Sequence, residues 1–221
     1  MRFLPLLALA LLPFPTAAAA PARPPNVILV LIDDLGWRDL GSYGSTFHET
    51  PNLDRFARES VRFTDAYAAC HVCSPTRASI LTGKYPARLQ LTDWLPGRKE
   101  FPFQRLRNAP VRQHLPLEET TLAEALRARG YATGHFGKWH LTPSWEQSPA
   151  GPFDRWPTGM GFDRFYGVIG AESSQYEPAA YDQTTPISPH VGREHYHLSE
   201  DLADQAVTWI QRQKAAAPDR P

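Results

Sequence analysis

Cysteine is scarce in this chain, and a surplus of either charge is absent. Only Cys70 and Cys73 occur among 221 residues, and two thiols three positions apart cannot build a disulfide framework. Ser74 stands where a haem-attachment C-x-x-C-H pattern needs histidine, which excludes that pattern. The 23 basic side chains are matched by 23 acidic ones, so no net positive footprint marks a nucleic-acid partner. Long apolar runs are missing too. After residues 4–12 no stretch approaches the roughly 20 apolar residues of a membrane-crossing helix, so a membrane span is not expected.

What is present begins with an export signal. Arg2 supplies a positive start, residues 4–12 an apolar run, and residues 17–22 the small side chains a signal peptidase accepts. Residues 1–22 therefore read as a signal peptide and residues 23–221 as the exported, periplasmic or extracellular part. Asn26-Val27-Ile28-Leu29-Val30-Leu31-Ile32 follows, a largely β-branched run that predicts a central parallel strand buried on both faces. It runs into Asp33 and Asp34. Adjacent carboxylates at the end of a buried strand are costly unless a cation or hydrogen-bond donors neutralise them. The pair suits Ca²⁺, or Mg²⁺, as hard oxygen ligands; the plainer alternative is a solvated loop pair that caps a helix.

The chemistry concentrates further on, at Cys73-Ser74-Pro75-Thr76-Arg77-Ala78-Ser79-Ile80-Leu81-Thr82-Gly83. Ser74 as cap, Pro75 at the first helical position and Gly83 as stop predict a short helix beginning just after Cys73. Its positive end then favours a thiolate or a bound anion beside Cys73, and Arg77, about one turn on, can reach an oxyanion held there. Cys73 is open to three readings: a buried structural cysteine, half of a Cys70/Cys73 redox pair, or a modified nucleophile. The stretch resembles the type I sulfatase signature C-x-P-x-R-x-x-x-L-T-G. That resemblance implies oxidation of Cys73 to formylglycine by a formylglycine-generating enzyme, with the aldehyde hydrate as nucleophile. It also implies a divalent cation held by Asp33, Asp34 and the modified Cys73.

Downstream, Thr50 and Pro51 predict a helix with Leu53, Phe56, Ala57 and Ser60 on its inner face, and residues 61–66 a strand leading towards Cys73. Residues 92–117 are a proline-broken loop in which Arg98, Lys99, Arg105, Arg107 and Arg112 follow Asp93 and face one further acid, Glu100; it reads either as a steering surface for a polyanionic sugar or as an ordinary solvated loop. Thr121 and Glu124 fit a capping box, Gly130 a helix stop, and residues 131–137 a strand. Gly137-Lys138-Trp139-His140 comes off that strand; if extended, Lys138 and His140 share a face. The same residues resemble the sulfatase G-K-W-H motif, which implies that Lys138 binds sulfate and that His140 hydrogen-bonds the hydrate and assists sulfate release. His135 has no counterpart and reads as structural. Residues 143–197 suggest one short strand near 162–169 and pocket-rim insertions, and His195-Tyr196-His197 reads as a packing pair. Ser199 is expected to cap a last helix striped by Leu202, Ala206, Trp209 and Ile210.

This alternation predicts an α/β fold, a largely parallel sheet sandwiched by helices, and the resemblance names it the alkaline-phosphatase-like sulfatase fold with its C-terminal part missing. The implied activity is a sulfuric ester hydrolase for aryl sulfates or sulfated carbohydrates. Two other classes remain open: a non-catalytic sulfate-ester binding fragment, because later metal and sulfate ligands of the family do not follow, and a C-x-x-C thiol-disulfide oxidoreductase, which leaves Asp33, Asp34, Arg77, Lys138 and His140 without a joint role.

Overall fold

A computed structural model describes residues 23–221; the expected signal peptide, residues 1–22, lies outside the described residues. The centre is a four-stranded sheet in the order β1 (Gly134–Lys138), β2 (Arg164–Val168), β3 (Ala180–Asp182) and β4 (Thr185–Ile187). β1 and β2 run parallel, in register from Gly134 opposite Arg164 to Lys138 opposite Val168, while β3 and β4 add antiparallel neighbours. Gly137 and Gly167 face each other in that register. A Cβ on Gly167 would lie 2.0 Å from the Gly137 carbonyl oxygen, whereas one on Gly137 would meet nothing nearer than 4.0 Å, so it is the missing side chain of Gly167 that lets these backbones close beside Lys138 at the strand end.

Among the described residues the α-helices are α1 (Pro51–Arg58), α2 (Cys73–Thr82), α3 (Pro86–Leu89), α4 (Leu122–Arg127) and α5 (Leu198–Ala216), of which α5 packs on the sheet while α2 packs against α3 and α4. α4 starts as expected, with the reciprocal Thr121 and Glu124 capping box, and Gly130 (φ 88) turns the chain towards β1. The main core gathers Leu89, Leu91, Leu115, Trp139, Trp156 and Phe165. Its indoles are satisfied, Trp139 Nε1 donating to the Arg155 carbonyl at 2.8 Å and Trp156 Nε1 to that of Glu146 at 2.7 Å. α5 lies on β1 and β2, with Trp209 against Phe136 at 5.8 Å between ring centroids. Asp201, 3% exposed, pins its first turn by accepting from Tyr166 Oη at 2.6 Å, Tyr196 Oη at 3.1 Å and Arg193 at 2.8 Å. Burial pushes the Asp201 carboxyl up, but these donors outweigh it and hold it below the ordinary carboxylate range. No helix among the described residues is long and apolar enough to cross a membrane.

Several expectations give way. Residues 26–32 form no strand, and Ile28 and Val30 are 73% and 74% exposed. A β-branched run becomes a strand only when another backbone pairs with it, and among the described residues none does; one tether nearby is the Tyr131 hydroxyl, which donates to the Pro25 carbonyl at 3.0 Å. Residues 61–66 are likewise irregular and exposed. α1 forms, yet Leu53 and Phe56 face solvent, because the element it packs against is a single 3-10 turn, Gly41–Tyr43. α5 is capped by His197, whose Nδ1 accepts from the Ser199 N–H at 3.3 Å, rather than by Ser199. The β3–β4 hairpin was not expected. Its loop, Gln183-Thr184, carries no Asn-Gly signal, and Pro186 is tolerated because β4 is an edge strand.

Candidate active site

α2 begins at Cys73 itself, with Val72 as its extended cap, so the helix opens two residues earlier than the Ser74-Pro75 signal suggests. Pro75 still falls in the first turn, where an absent N–H costs nothing. Gly83 (φ 67) ends the helix as expected, its N–H donating to the Ser79 carbonyl at 2.8 Å. The Ser74 side chain has a different task. It is fully buried, and its Oγ accepts the Leu95 N–H at 3.2 Å. The thiol of Cys73 is free and half-buried at the positive end of the helix, and so is that of Cys70 in the loop before it. Thr76 Oγ1 donates to the Cys70 carbonyl at 2.7 Å and so fixes how the chain enters α2.

Arg77 is buried, and its guanidinium is held from two sides. One terminal nitrogen donates to the Lys138 carbonyl, and the other pairs with Asp33 Oδ2 at 3.2 Å. Lys138 Nζ meets the same Asp33 oxygen at 2.6 Å. Three residues far apart in sequence thus converge, two cations on one carboxylate oxygen. Partial burial pushes the Asp33 carboxyl up, but the Lys138 hydrogen bond and the charges of Arg77 and Lys138 outweigh burial and hold it below the ordinary range. Asp34 follows in the left-handed region (φ 58), a conformation that aspartate accepts.

His140 does not stay extended beside Lys138. β1 ends at Lys138, and His140 turns into the left-handed region (φ 56), so the two side chains do not share a strand face. The turn is over-determined: the Trp139 and His140 N–H groups donate to the carbonyls of Val168 and Ile169 at 2.9 and 3.0 Å, and Leu115 N–H donates to the Leu141 carbonyl at 3.1 Å. The imidazole is 2% exposed. Its Nε2 lies 2.8 Å from the Leu95 carbonyl oxygen, while Nδ1 is buried with no protein partner among the described residues. Burial first, then the charges of Lys138 and Arg77, push its pKa down against the opposing pull of the Leu95 carbonyl and Asp33. His135 is structural, as expected. It packs among Trp139, Phe162 and Phe165 at centroid distances of 5.4, 5.2 and 5.9 Å, and burial pushes it down to about 4.

For a metal, the donors match a hard cation in kind: Asp33 and Asp34 are adjoining carboxylates, and Asp33 Oδ2 already collects positive charge. Cys73 does not join them in a ligand cluster; among the described residues no group of three or more His, Cys, Asp and Glu side chains is disposed to hold an ion. Two carboxylates supply only part of the six to eight oxygens, roughly, that Ca²⁺ prefers. In the basic loop, Arg98 pairs with Asp93 at 3.4 Å and Arg112 with Glu118 at 3.2 Å, which leaves Lys99, Arg105 and Arg107 as its remaining cations. His197 caps α5 and His195 stands exposed beside Glu194. Ser74 and the Leu95 carbonyl are the site groups that sequence reasoning missed, and a backbone carbonyl leaves no side-chain signal to find.

The family model described as Sulfatase matches residues 25–221. The chain is similar to human arylsulfatase A, 45% identical over 152 residues that cover 69% of this chain and 27% of the relative. It is also similar to canine N-acetylgalactosamine-6-sulfatase, 34% identical over 223 residues that cover 90% of this chain and 38% of the relative. The crystal structure of Ps i-CgsB in complex with k-i-k-neocarrahexaose superposes with a TM-score of 0.66 at 24% identity, covering 86% of this chain and 41% of that one. The chain thus spans about a quarter to two fifths of the length of the curated relatives it matches, and its fold is that of these proteins, a mixed sheet flanked by helices.

Proposed function

The chain belongs to the sulfatase family, and from that membership we propose that it carries the nucleophile-bearing part of an exported sulfuric ester hydrolase for aryl sulfates or sulfated carbohydrates. The observation that carries this reading is the meeting of Arg77 and Lys138 on one anionic oxygen, Asp33 Oδ2. Two cations spaced to share a carboxylate oxygen are equally spaced to share a sulfuryl oxygen, and Cys73 opens the helix that contains Arg77. The name of the canine relative, an N-acetylgalactosamine-6-sulfatase, supports a sulfated sugar as substrate.

After conversion by a formylglycine-generating enzyme, residue 73 supplies a hydrate oxygen as nucleophile, and Ca²⁺ or Mg²⁺ at Asp33 and Asp34 supplies Lewis acidity. Arg77 and Lys138 orient the ester and hold charge as it grows on the sulfuryl oxygens. Burial and the same two cations push the His140 pKa down and so favour its neutral form, the form that can take the proton whose removal releases sulfate. An unmodified thiol has no second hydroxyl for that release.

The test is mass analysis of secreted protein followed by turnover of a generic aryl sulfate. Cys73 should be converted to the aldehyde and Cys70 should not. At equal aldehyde content, Arg77→Ala should lose about 3–4 kcal/mol of transition-state stabilisation, the cost of one oxyanion donor. A Cys70–Cys73 disulfide with no aldehyde would favour the oxidoreductase reading; sulfate-ester binding without turnover would favour the non-catalytic one.

A further inference from the structure

Of the groups around Arg77 and Lys138, His140 has the most constrained hydrogen bonding. A carbonyl oxygen only accepts, so the 2.8 Å contact of Nε2 with the Leu95 carbonyl requires Nε2 to carry a proton. A neutral ring with Nε2–H has its lone pair on Nδ1, and Nδ1 is the buried atom without a protein partner. Leu95 is itself held. Its side chain is 5% exposed, and its N–H is bonded to the Oγ of Ser74, which has no exposed surface and directly follows Cys73. A relay of hydrogen bonds therefore runs from the residue beside the nucleophile, through the backbone of Leu95, to the outer nitrogen of the imidazole.

We propose that Ser74 and Leu95 are positioning residues that lock His140 in its Nε2–H tautomer and so make Nδ1 the proton-accepting atom of the site. The proposal rests on the hydrolase reading for the identity of the proton. In the release step the O–H bond of the free hydroxyl on residue 73 breaks and its proton goes to Nδ1. The electron pair left on oxygen forms the aldehyde C=O, and the ester C–O bond breaks with its pair leaving on sulfate. The resulting imidazolium carries protons on both nitrogens and still donates Nε2–H to Leu95. Its charge is opposed by Lys138 and Arg77 and supported by Asp33, the charged groups that act on this ring. With the opposite tautomer, Nε2 would set a lone pair against the Leu95 carbonyl and Nδ1 would have nothing with which to accept the proton.

The experiment reads the tautomer directly. Protein labelled with ¹⁵N-histidine, with the His140 ring assigned by loss of its signals in His140→Gln, is examined by long-range ¹H–¹⁵N correlation at neutral pH, with no substrate. The expected spectrum has a protonated Nε2 and an unprotonated Nδ1. In Ser74→Ala, at equal aldehyde content, the two nitrogen shifts should move towards each other and kcat should fall by about tenfold, the loss typical of removing an orienting partner, with KM changed less than about twofold. Ser74→Thr, which keeps the hydroxyl, should restore both readouts. A proton on Nδ1 in the wild-type protein overturns the proposal without any variant, and so does a Ser74→Ala protein whose tautomer and kcat are both unchanged. Absence of aryl sulfate turnover in the wild type would instead overturn the hydrolase reading and leave the tautomer result to stand by itself.

Discussion

His135 and Asp33 respond to acid in different pH windows. His135 titrates in the folded state at about 4, below its ordinary 6.5, because burial among aromatic rings disfavours the imidazolium. A depressed folded pKa means that its contribution to stability is complete above about pH 6.5 and is lost as pH falls towards 4, an amount of about 3 kcal/mol for a shift of this size. Asp33 is also depressed, but from 3.8, so its contribution persists through that window and is lost only below the ordinary carboxylate range. Denaturant titrations between pH 7 and 4 should therefore show falling stability in the wild-type protein and a flatter profile in His135→Phe. Equal slopes in the two proteins would mean that the buried imidazole is not what titrates.

Among elements, the β1–β2 pair carries the site. Lys138 closes β1, and the turn that follows it delivers His140, so the register of these strands sets where both side chains lie. The close approach of the two strands depends on the absent side chain of Gly167, which lies against the Gly137 backbone. Gly167→Ala places a methyl 2.0 Å from the Gly137 carbonyl oxygen at a φ of 157, a clash that backbone must relieve. The expected cost is at least about 1–3 kcal/mol, with turnover lost alongside stability. Gly83→Ala is the control: at φ 67 its new Cβ meets nothing within 4 Å, so only the left-handed conformation is penalised. A Gly167→Ala midpoint as high as that of Gly83→Ala would show that Gly167 does not govern the strand contact.

Across the whole molecule, the site is assembled from segments that share no element. Asp33 comes from the irregular stretch after residues 26–32, Arg77 from α2 and Lys138 from β1, and they meet in two ion pairs on one carboxylate oxygen. The same carboxylate that balances Arg77 and Lys138 is a proposed metal ligand, so the cations and an added divalent ion compete for Asp33. Calorimetric titration with Ca²⁺ should give weaker binding in both Asp33→Ala and Asp34→Ala than in the wild-type protein. Identical affinities in all three would remove both carboxylates from the ion's shell. Asp33→Ala should also lower stability, since it leaves the buried Arg77 without its counter-charge, whereas Asp34→Ala should not.

What the sequence alone determined is local. The Thr121 and Glu124 cap, the Gly83 stop and the strands expected at 131–137 and near 162–169 follow from preferences and spacings within a few residues, which short-range sterics and hydrogen bonding settle, while the C-x-P-x-R and G-K-W-H stretches are read from their resemblance to a family's motifs. The same rules misread residues 26–32 and 61–66, whose strand propensity had no neighbouring backbone to act on, and Ser74, whose capping preference lost to a bond with Leu95. Only the tertiary structure decided that Asp33 meets Arg77 and Lys138, that His140 leaves the strand with a left-handed backbone, and that its Nε2 faces a carbonyl 45 residues away. Those outcomes turn on which distant segments come within hydrogen-bond reach and on how burial weighs charge, and neither is written in the spacing of neighbouring residues.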